Sequence, residues 1–182
     1  MLEVVKGEKV ELFLTTEQIA KRVKELATEI ISVYGEQPIT LLGTLKGAIF
    51  FLSDLARELG PNVELDFVKA SSYGDSTKST GQVKLEYHPS SDLLGRHVLI
   101  VEDIVDTGHT ATFLRQCLMA QGPASIRLCS LLDKPSRREV KDLQCDFLGF
   151  SIPDEFVVGY GLDFAQRYRT LPYVGIMRFD KN

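Results

Sequence analysis

Only three cysteines occur in the 182 residues, Cys117, Cys129 and Cys145, and no two form a CxxC pair. An odd, dispersed set in apolar surroundings excludes a dense disulfide framework. It predicts reduced packing residues in a cytoplasmic protein. Positive charge is also short. The 21 Lys and Arg stand against 25 Asp and Glu, a net charge of −4, which argues against a protein built to wrap nucleic acid. No apolar run approaches the ~18–20 residues that cross a bilayer, so no membrane segment is expected. The start, Met1-Leu2-Glu3-Val4-Val5-Lys6, lacks a signal peptide's apolar core. There is no internal repeat, long linker or low-complexity tail. Two nucleotide motifs are missing as well: no G-x-x-x-x-G-K-[ST] and no G-x-G-x-x-G.

What is present is a chain 44% hydrophobic and 25% charged, enough for one buried core in a single domain over 1–182. Residues 1–14 read as a short N-terminal arm. Thr15-Thr16-Glu17-Gln18 forms a capping box, and Ile19, Val23, Leu26 and Ile30 then recur on one helical face, with Gly35 at its end. An apolar strand, 39–42, runs into Gly43-Thr44-Leu45-Lys46-Gly47. A second helix follows with Phe50, Phe51, Leu55 and Leu59 inward and Gly60-Pro61 as its stop. Residues 63–67 alternate like a strand. The polar segment 71–81 is either a bare hairpin tip or an active-site loop that orders over a ligand, with 82–87 returning. A further helix carries Ala111, Leu114 and Leu118. Strands are expected over 125–132, 147–152 and 173–177. Strands alternating with helices predict an α/β fold with a mainly parallel central sheet flanked by helices.

One stretch concentrates the chemistry: Val98-Leu99-Ile100-Val101-Glu102-Asp103-Ile104-Val105-Asp106-Thr107-Gly108-His109-Thr110. An apolar strand turns acidic and passes through Thr-Gly into a helix. In an open parallel sheet, ligands lie at the carboxyl ends of the strands. The amides and hydroxyls of 106–110 suit a phosphate, whereas Glu102 and Asp103 would repel one. A ligand with two ends resolves the conflict: a phosphate on the helix start, and hydroxyls or a divalent cation on the acids. A sugar phosphate has that form. An aspartyl-phosphate enzyme with Asp103 or Asp106 as nucleophile is an alternative. A solvated loop whose acids cap the next helix is another.

Residues 98–110 also resemble the phosphoribosyl-pyrophosphate signature of type I phosphoribosyltransferases. Leu45-Lys46-Gly47, Ser72-Tyr73, Leu132-Asp133-Lys134-Pro135-Ser136-Arg137-Arg138 and the run from Ile152-Pro153-Asp154-Glu155-Phe156-Val157 to Asp163 are similar to the hypoxanthine (hypoxanthine-guanine) phosphoribosyltransferase family, in its bacterial form. The resemblance implies that family's fold, with a small hood built from terminal segments. It implies transfer of a phosphoribosyl group from phosphoribosyl pyrophosphate to a 6-oxopurine, in a homodimer or homotetramer.

It also implies residue roles. Glu102 and Asp103 would face the ribose hydroxyls, directly or with Mg2+, and Asp163 would hold a second Mg2+. Asp106, Thr107, Gly108, His109 and Thr110 would hold the 5′-phosphate, with Asp106 also the proton acceptor near purine N7. Lys134 would donate to the 6-oxygen, Phe156 would stack on the base, and Val157 would offer main-chain groups. Lys46, Gly47 and Arg169 would bind pyrophosphate, with a cis bond before Lys46. Ser72 and Tyr73 would belong to a loop that excludes water. His109, where some members carry Lys, and Ala48 depart from the pattern. A regulatory module that keeps this site but controls nucleic acid is a competing reading, disfavoured by the acidic charge. A transferase for another base, such as uracil or xanthine, is a third.

Overall fold

Two sheets divide the molecule. In the computed structural model, residues 2–5, 7–72 and 83–179 are described. Tyr73, with the rest of 73–82, lies outside the described residues. The larger sheet contains β3 (Ile39–Thr44), β4 (Val63–Ser72), β5 (Val83–Tyr87), β6 (His97–Val105), β7 (Ser125–Asp133) and β8 (Phe147–Ser151), in the order β5-β4-β3-β6-β7-β8. All neighbouring pairs are parallel except β4–β5. Helices α1 (Thr16–Tyr34), α2 (Ile49–Leu59) and α3 (His109–Met119) complete the core.

Strand β6 shows why the fold is two-sided. Leu99 and Val101 pack in a cluster with α1 and α2, whereas Val98 and Ile100 pack with Leu114 and Leu118 of α3. Side chains alternate between faces along a strand, so an unbroken apolar run fills both cores at once. Each such side chain contributes roughly 1.5–3 kcal/mol on full burial.

The capping box at Thr15 is present. The Thr15 hydroxyl accepts from the Gln18 N–H at 3.2 Å, and Gln18 Oε1 accepts from the Thr15 N–H at 2.8 Å. Ile19, Val23, Leu26 and Ile30 are all buried. One inward assignment needs correcting. Phe50 is 38% exposed, and Leu52 takes the buried place beside Phe51 and Leu55. The buried stripe is centred among Phe51, Leu52 and Leu55, and a step of about 100° per residue leaves Phe50 outside it. The Phe50 ring lies instead 6.4 Å from that of Tyr160.

The N-terminal arm is regular. Strands β1 (Leu2–Val5) and β2 (Glu8–Leu14) join β9 (Val157–Val158) and β10 (Val174–Phe179) in a second sheet, ordered β1-β2-β10-β9. This is the hood made of terminal segments. β2 and β10 pair antiparallel across most of the chain's length, a contact local sequence patterns do not encode. Tyr160 donates to Asp54 Oδ2 of α2 at 2.6 Å, which ties the hood to the larger sheet's helix layer. Within the hood, Arg167 Nη2 lies 2.7 Å from Glu8 Oε1 of β2. No described helix is long and apolar enough to cross a membrane.

Candidate active site

The chain leaves β3 toward β4 on one side, and leaves β6 toward β7 on the other. Neighbouring strands β3 and β6 therefore form the switch point of the sheet, where open α/β folds bind ligands beyond the strand ends. A cleft of about 320 Å³ lies there. It is lined by Thr44 to Gly47 after β3, by Glu102 to Gly108 and Thr110 on and after β6, and by Asp163 and Arg169 of the hood. A smaller recess of about 180 Å³ adjoins it, lined by Lys134, Phe156, Val157 and Leu162. Asp103, Ile104, Asp106 and Asp163 line both. Residues predicted from four separate motifs thus meet in one place.

Glycine makes the close approach possible. A Cβ on Gly47 would fall 1.6 Å from Asp103 Oδ2, and one on Gly161 would fall 1.8 Å from the Gly47 carbonyl oxygen. The Leu45–Lys46 peptide is cis, as the resemblance implies.

The two acids that end β6 differ in surroundings. Glu102 is 6% exposed. Its Oε1 has no hydrogen-bond partner, and its Oε2 lies 2.5 Å from Thr44 Oγ1. Burial, reinforced by the Asp103 charge and opposed by Thr44, pushes the Glu102 carboxyl up to about 8. Thr44 Oγ1 also lies 3.1 Å from the Val101 carbonyl. Thr44 has one proton for these two acceptors. Both contacts are satisfied when protonated Glu102 donates to Thr44, which donates on to Val101. Burial also raises Asp103, to about 6, against the N–H of Ile104, which donates to Asp103 Oδ1 at 2.9 Å.

This has a consequence for stability. Between the unfolded value of 4.5 and the folded value of about 8, the unfolded carboxyl ionises and the folded one does not, so stability falls with rising pH. Glu102→Gln removes that fall. Thermal unfolding followed by circular dichroism should give equal midpoints below pH 4.5 and a growing advantage of the variant toward pH 8. The gain is roughly 2–4 °C for each kcal/mol relieved. A variant less stable at pH 8 than at pH 4 relative to the parent would contradict it.

Beyond β6, Gly108 enters α3 with a left-handed φ of 92° and no side-chain cap, leaving the first-turn amides open to an anion. Thr107, Gly108 and Thr110 line the cleft, whereas His109 does not. Its Nε2 lies 2.7 Å from Glu139 Oε2, so Glu139 of the neighbouring loop engages the imidazole.

Asp163 and Arg169 face each other at 2.7 Å, and Arg169 Nη1 also donates to the Gly161 carbonyl at 2.5 Å. Lys46 is exposed, with its Nζ 3.3 Å from Gln166 Oε1. Lys134 is 8% exposed, with its Nζ 3.7 Å from Asp154 Oδ1. Phe156 is half exposed and meets Phe164 edge-on at 5.6 Å. Ser72 closes β4; Tyr73 lies outside the described residues.

No group of three His, Cys, Asp or Glu side chains converges as a metal cage among the described residues, so Glu102, Asp103 and Asp163 do not form a closed set. The donors nonetheless fit magnesium, which takes oxygen ligands and binds through one or two carboxylates together with substrate phosphates and water. The orphaned, buried Oε1 of Glu102 is the group that gains most from such a neighbour.

Several residues here carry no role in the sequence reading: Thr44, Ile104 and Leu162 in the lining, and Arg137 and Asp154, which ion-pair with the lining residues Asp106 and Lys134. Thr44 had a signal, a polar residue closing an apolar strand. Ile104 and Leu162 look like ordinary core residues until the two recesses are seen to share a wall.

A parallel sheet with a ligand cleft at its switch point, an acidic strand end and an open helix start fit a phosphoribosyltransferase. The phosphoribosyl transferase domain model matches residues 9–165, and the chain belongs to that family. It is 48% identical over 168 residues to the hypoxanthine phosphoribosyltransferase of Salmonella typhimurium, covering 91% of this chain and 94% of that one. It is 44% identical over 167 residues to the hypoxanthine-guanine phosphoribosyltransferase of Bacillus subtilis, covering 92% of each. A crystal structure of a Staphylococcus aureus hypoxanthine phosphoribosyltransferase superposes with a TM-score of 0.89 at 39% identity, over 95% of this chain and 93% of that one. Within the family, the chain belongs with the hypoxanthine phosphoribosyltransferases.

Proposed function

We propose that this chain joins hypoxanthine, and also guanine, to the ribose of phosphoribosyl pyrophosphate, forming IMP or GMP and releasing pyrophosphate in purine salvage. The carrying observation is the pair of adjoining recesses with Asp103, Ile104, Asp106 and Asp163 as their common wall. One recess fits a phosphorylated sugar and the other a flat base, and the wall stands where the new bond must form.

The start of α3, with Thr107, Gly108 and Thr110, holds the 5′-phosphate. Glu102 and Asp103 accept from the ribose hydroxyls. Lys134 donates to the 6-oxygen, Phe156 covers one face of the base, and Val157 offers its main chain to the purine edge. As the ring nitrogen forms its bond to the anomeric carbon, the pyrophosphate oxygen leaves with the bonding pair and Asp106 takes the N7 proton. Lys46 and Arg169 stabilise the charge that builds on the leaving group. Magnesium, when bound at the carboxylates, supplies positive charge to the departing pyrophosphate. The unpaired thiols of Cys117, Cys129 and Cys145 support a reducing, cytoplasmic setting. A homodimer or homotetramer is the proposed assembly.

Steady-state kinetics with hypoxanthine, guanine and xanthine, at saturating phosphoribosyl pyrophosphate and magnesium, test the assignment. Turnover with hypoxanthine is expected. A folded protein inactive on all three bases would overturn it. Lys134→Ala is expected to raise KM for the base roughly 10–100-fold, the worth of a hydrogen bond from a charged donor, and to leave KM for phosphoribosyl pyrophosphate within about 2-fold. Equal loss for both substrates would remove Lys134 from base recognition.

A further inference from the structure

Between Lys134 and Asp106, two of the charged groups that line the base recess, stand two charges to which the mechanism gives no task. Arg137 Nε donates to Asp106 Oδ1 at 3.1 Å and lies 3.9 Å from Asp154 Oδ1. That same Asp154 oxygen lies 3.7 Å from Lys134 Nζ. The result is an alternating series, Asp106, Arg137, Asp154, Lys134, around one rim.

The backbone makes it more than a chance surface pairing. Arg137 closes the short helical turn Pro135–Arg137, and its N–H donates to the Lys134 carbonyl at 3.0 Å. Lys134 N donates to the Val105 carbonyl at 3.0 Å, and Glu139 N and Val140 N donate to the Thr107 carbonyl at 3.0 and 3.1 Å. The segment that carries Arg137 is thus fastened on both sides of Asp106. A long side chain loses less entropy in an ion pair when its backbone is already held.

We propose that Arg137 is a positioning residue for the transfer reaction. It holds Asp106 by Oδ1, leaves Oδ2 to receive the substrate proton, and through Asp154 sets the proton acceptor at a fixed distance from Lys134. Among the described residues, Asp106 makes no hydrogen bond through Oδ2. The pairing with Asp106 also raises the Arg137 guanidinium above its ordinary value. The inference rests on the proposed transferase reaction and on Asp106 as its proton acceptor.

Arg137→Met keeps the side chain out to the position of Nε and removes charge and donor. Arg137→Lys restores a charged donor near the position of Nε, which lies 3.1 Å from Asp106 Oδ1 and 3.9 Å from Asp154 Oδ1. The test compares kcat and KM of the parent, both variants, and Arg137→Met combined with Asp106→Asn. Arg137→Met is expected to lower kcat roughly 10-fold, as misplacement of a reacting group does, with KM for phosphoribosyl pyrophosphate within about 2-fold. Arg137→Lys should recover most of kcat. In the Asp106→Asn background, Arg137→Met should change kcat less than about 2-fold, because the group it positions no longer takes the proton. An equal fall in both backgrounds, a lysine variant no better than methionine, or a rise in kcat on removing Arg137 would overturn the proposal. The parent enzyme separates the two levels: an inactive parent defeats the transferase reading, whereas an active parent with any of those three results defeats only the role of Arg137.

Discussion

Asp106→Asn is expected to lower kcat by about 10²–10⁴-fold, the usual worth of a positioned general base, while KM for both substrates stays within a few-fold. The substitution nearly preserves shape. It retains an oxygen toward Arg137 Nε, the donor now 3.1 Å from Asp106 Oδ1, so the rim can persist. What it removes is the ability to accept a proton at the wall shared by the two recesses. Loss confined to the step in which charge moves separates a base from a binding group. Steady-state kinetics with equilibrium binding of phosphoribosyl pyrophosphate would measure both quantities. Unchanged kcat with weakened binding would remove Asp106 from the chemistry.

Gly47→Ala is expected to reduce kcat/KM by at least about 100-fold, because a 1 Å displacement near reacting groups can cost that much. The new methyl would lie 1.6 Å from Asp103 Oδ2 and 2.4 Å from its Cγ. Either the Asp103 carboxylate turns away and loses its bond from the Ile104 N–H, or the loop after β3 moves out. Outward movement meets Gly161, whose α-carbon already packs against the Gly47 carbonyl. The three atoms nearest the added methyl all belong to the Asp103 carboxyl group. Asp103→Ala should therefore rescue the thermal stability of Gly47→Ala without restoring activity. Activity within about 2-fold of the parent in Gly47→Ala would show that the carboxylate does not stand where the site needs it.

Much of the site was legible because its chemistry is local. Residues 98–110 carry an apolar strand, its acidic end and the helix start in one continuous run, and the structure keeps them together as β6, the cleft wall and α3. Lys134, Phe156 and Val157 were legible only by resemblance. Their alternation alone reads as a turn lysine and strand core, and their meeting depends on β7 and the hood approaching one strand end. The hood was less legible. Its β2–β10 pairing joins residues such as Leu14 and Val174, far apart in the chain, and no short-range pattern reports such a partner. The loop over 160–168 was least legible. Tyr160, Ala165, Gln166 and Tyr168 adopt positive φ, which non-glycine residues seldom do and tertiary contacts must hold. His109 shows a different limit. Its place beside the phosphate cradle follows from the motif, but its engagement by Glu139 depends on a loop 30 residues later.

The most direct test is to incubate the full chain with hypoxanthine, phosphoribosyl pyrophosphate and magnesium and to quantify nucleotide and pyrophosphate together. The two recesses, one for the phosphorylated sugar and one for the base, predict IMP and pyrophosphate in equal amounts, both falling to near background in Asp106→Asn. Pyrophosphate released without IMP, or a folded chain that forms neither product, would contradict that division of the site.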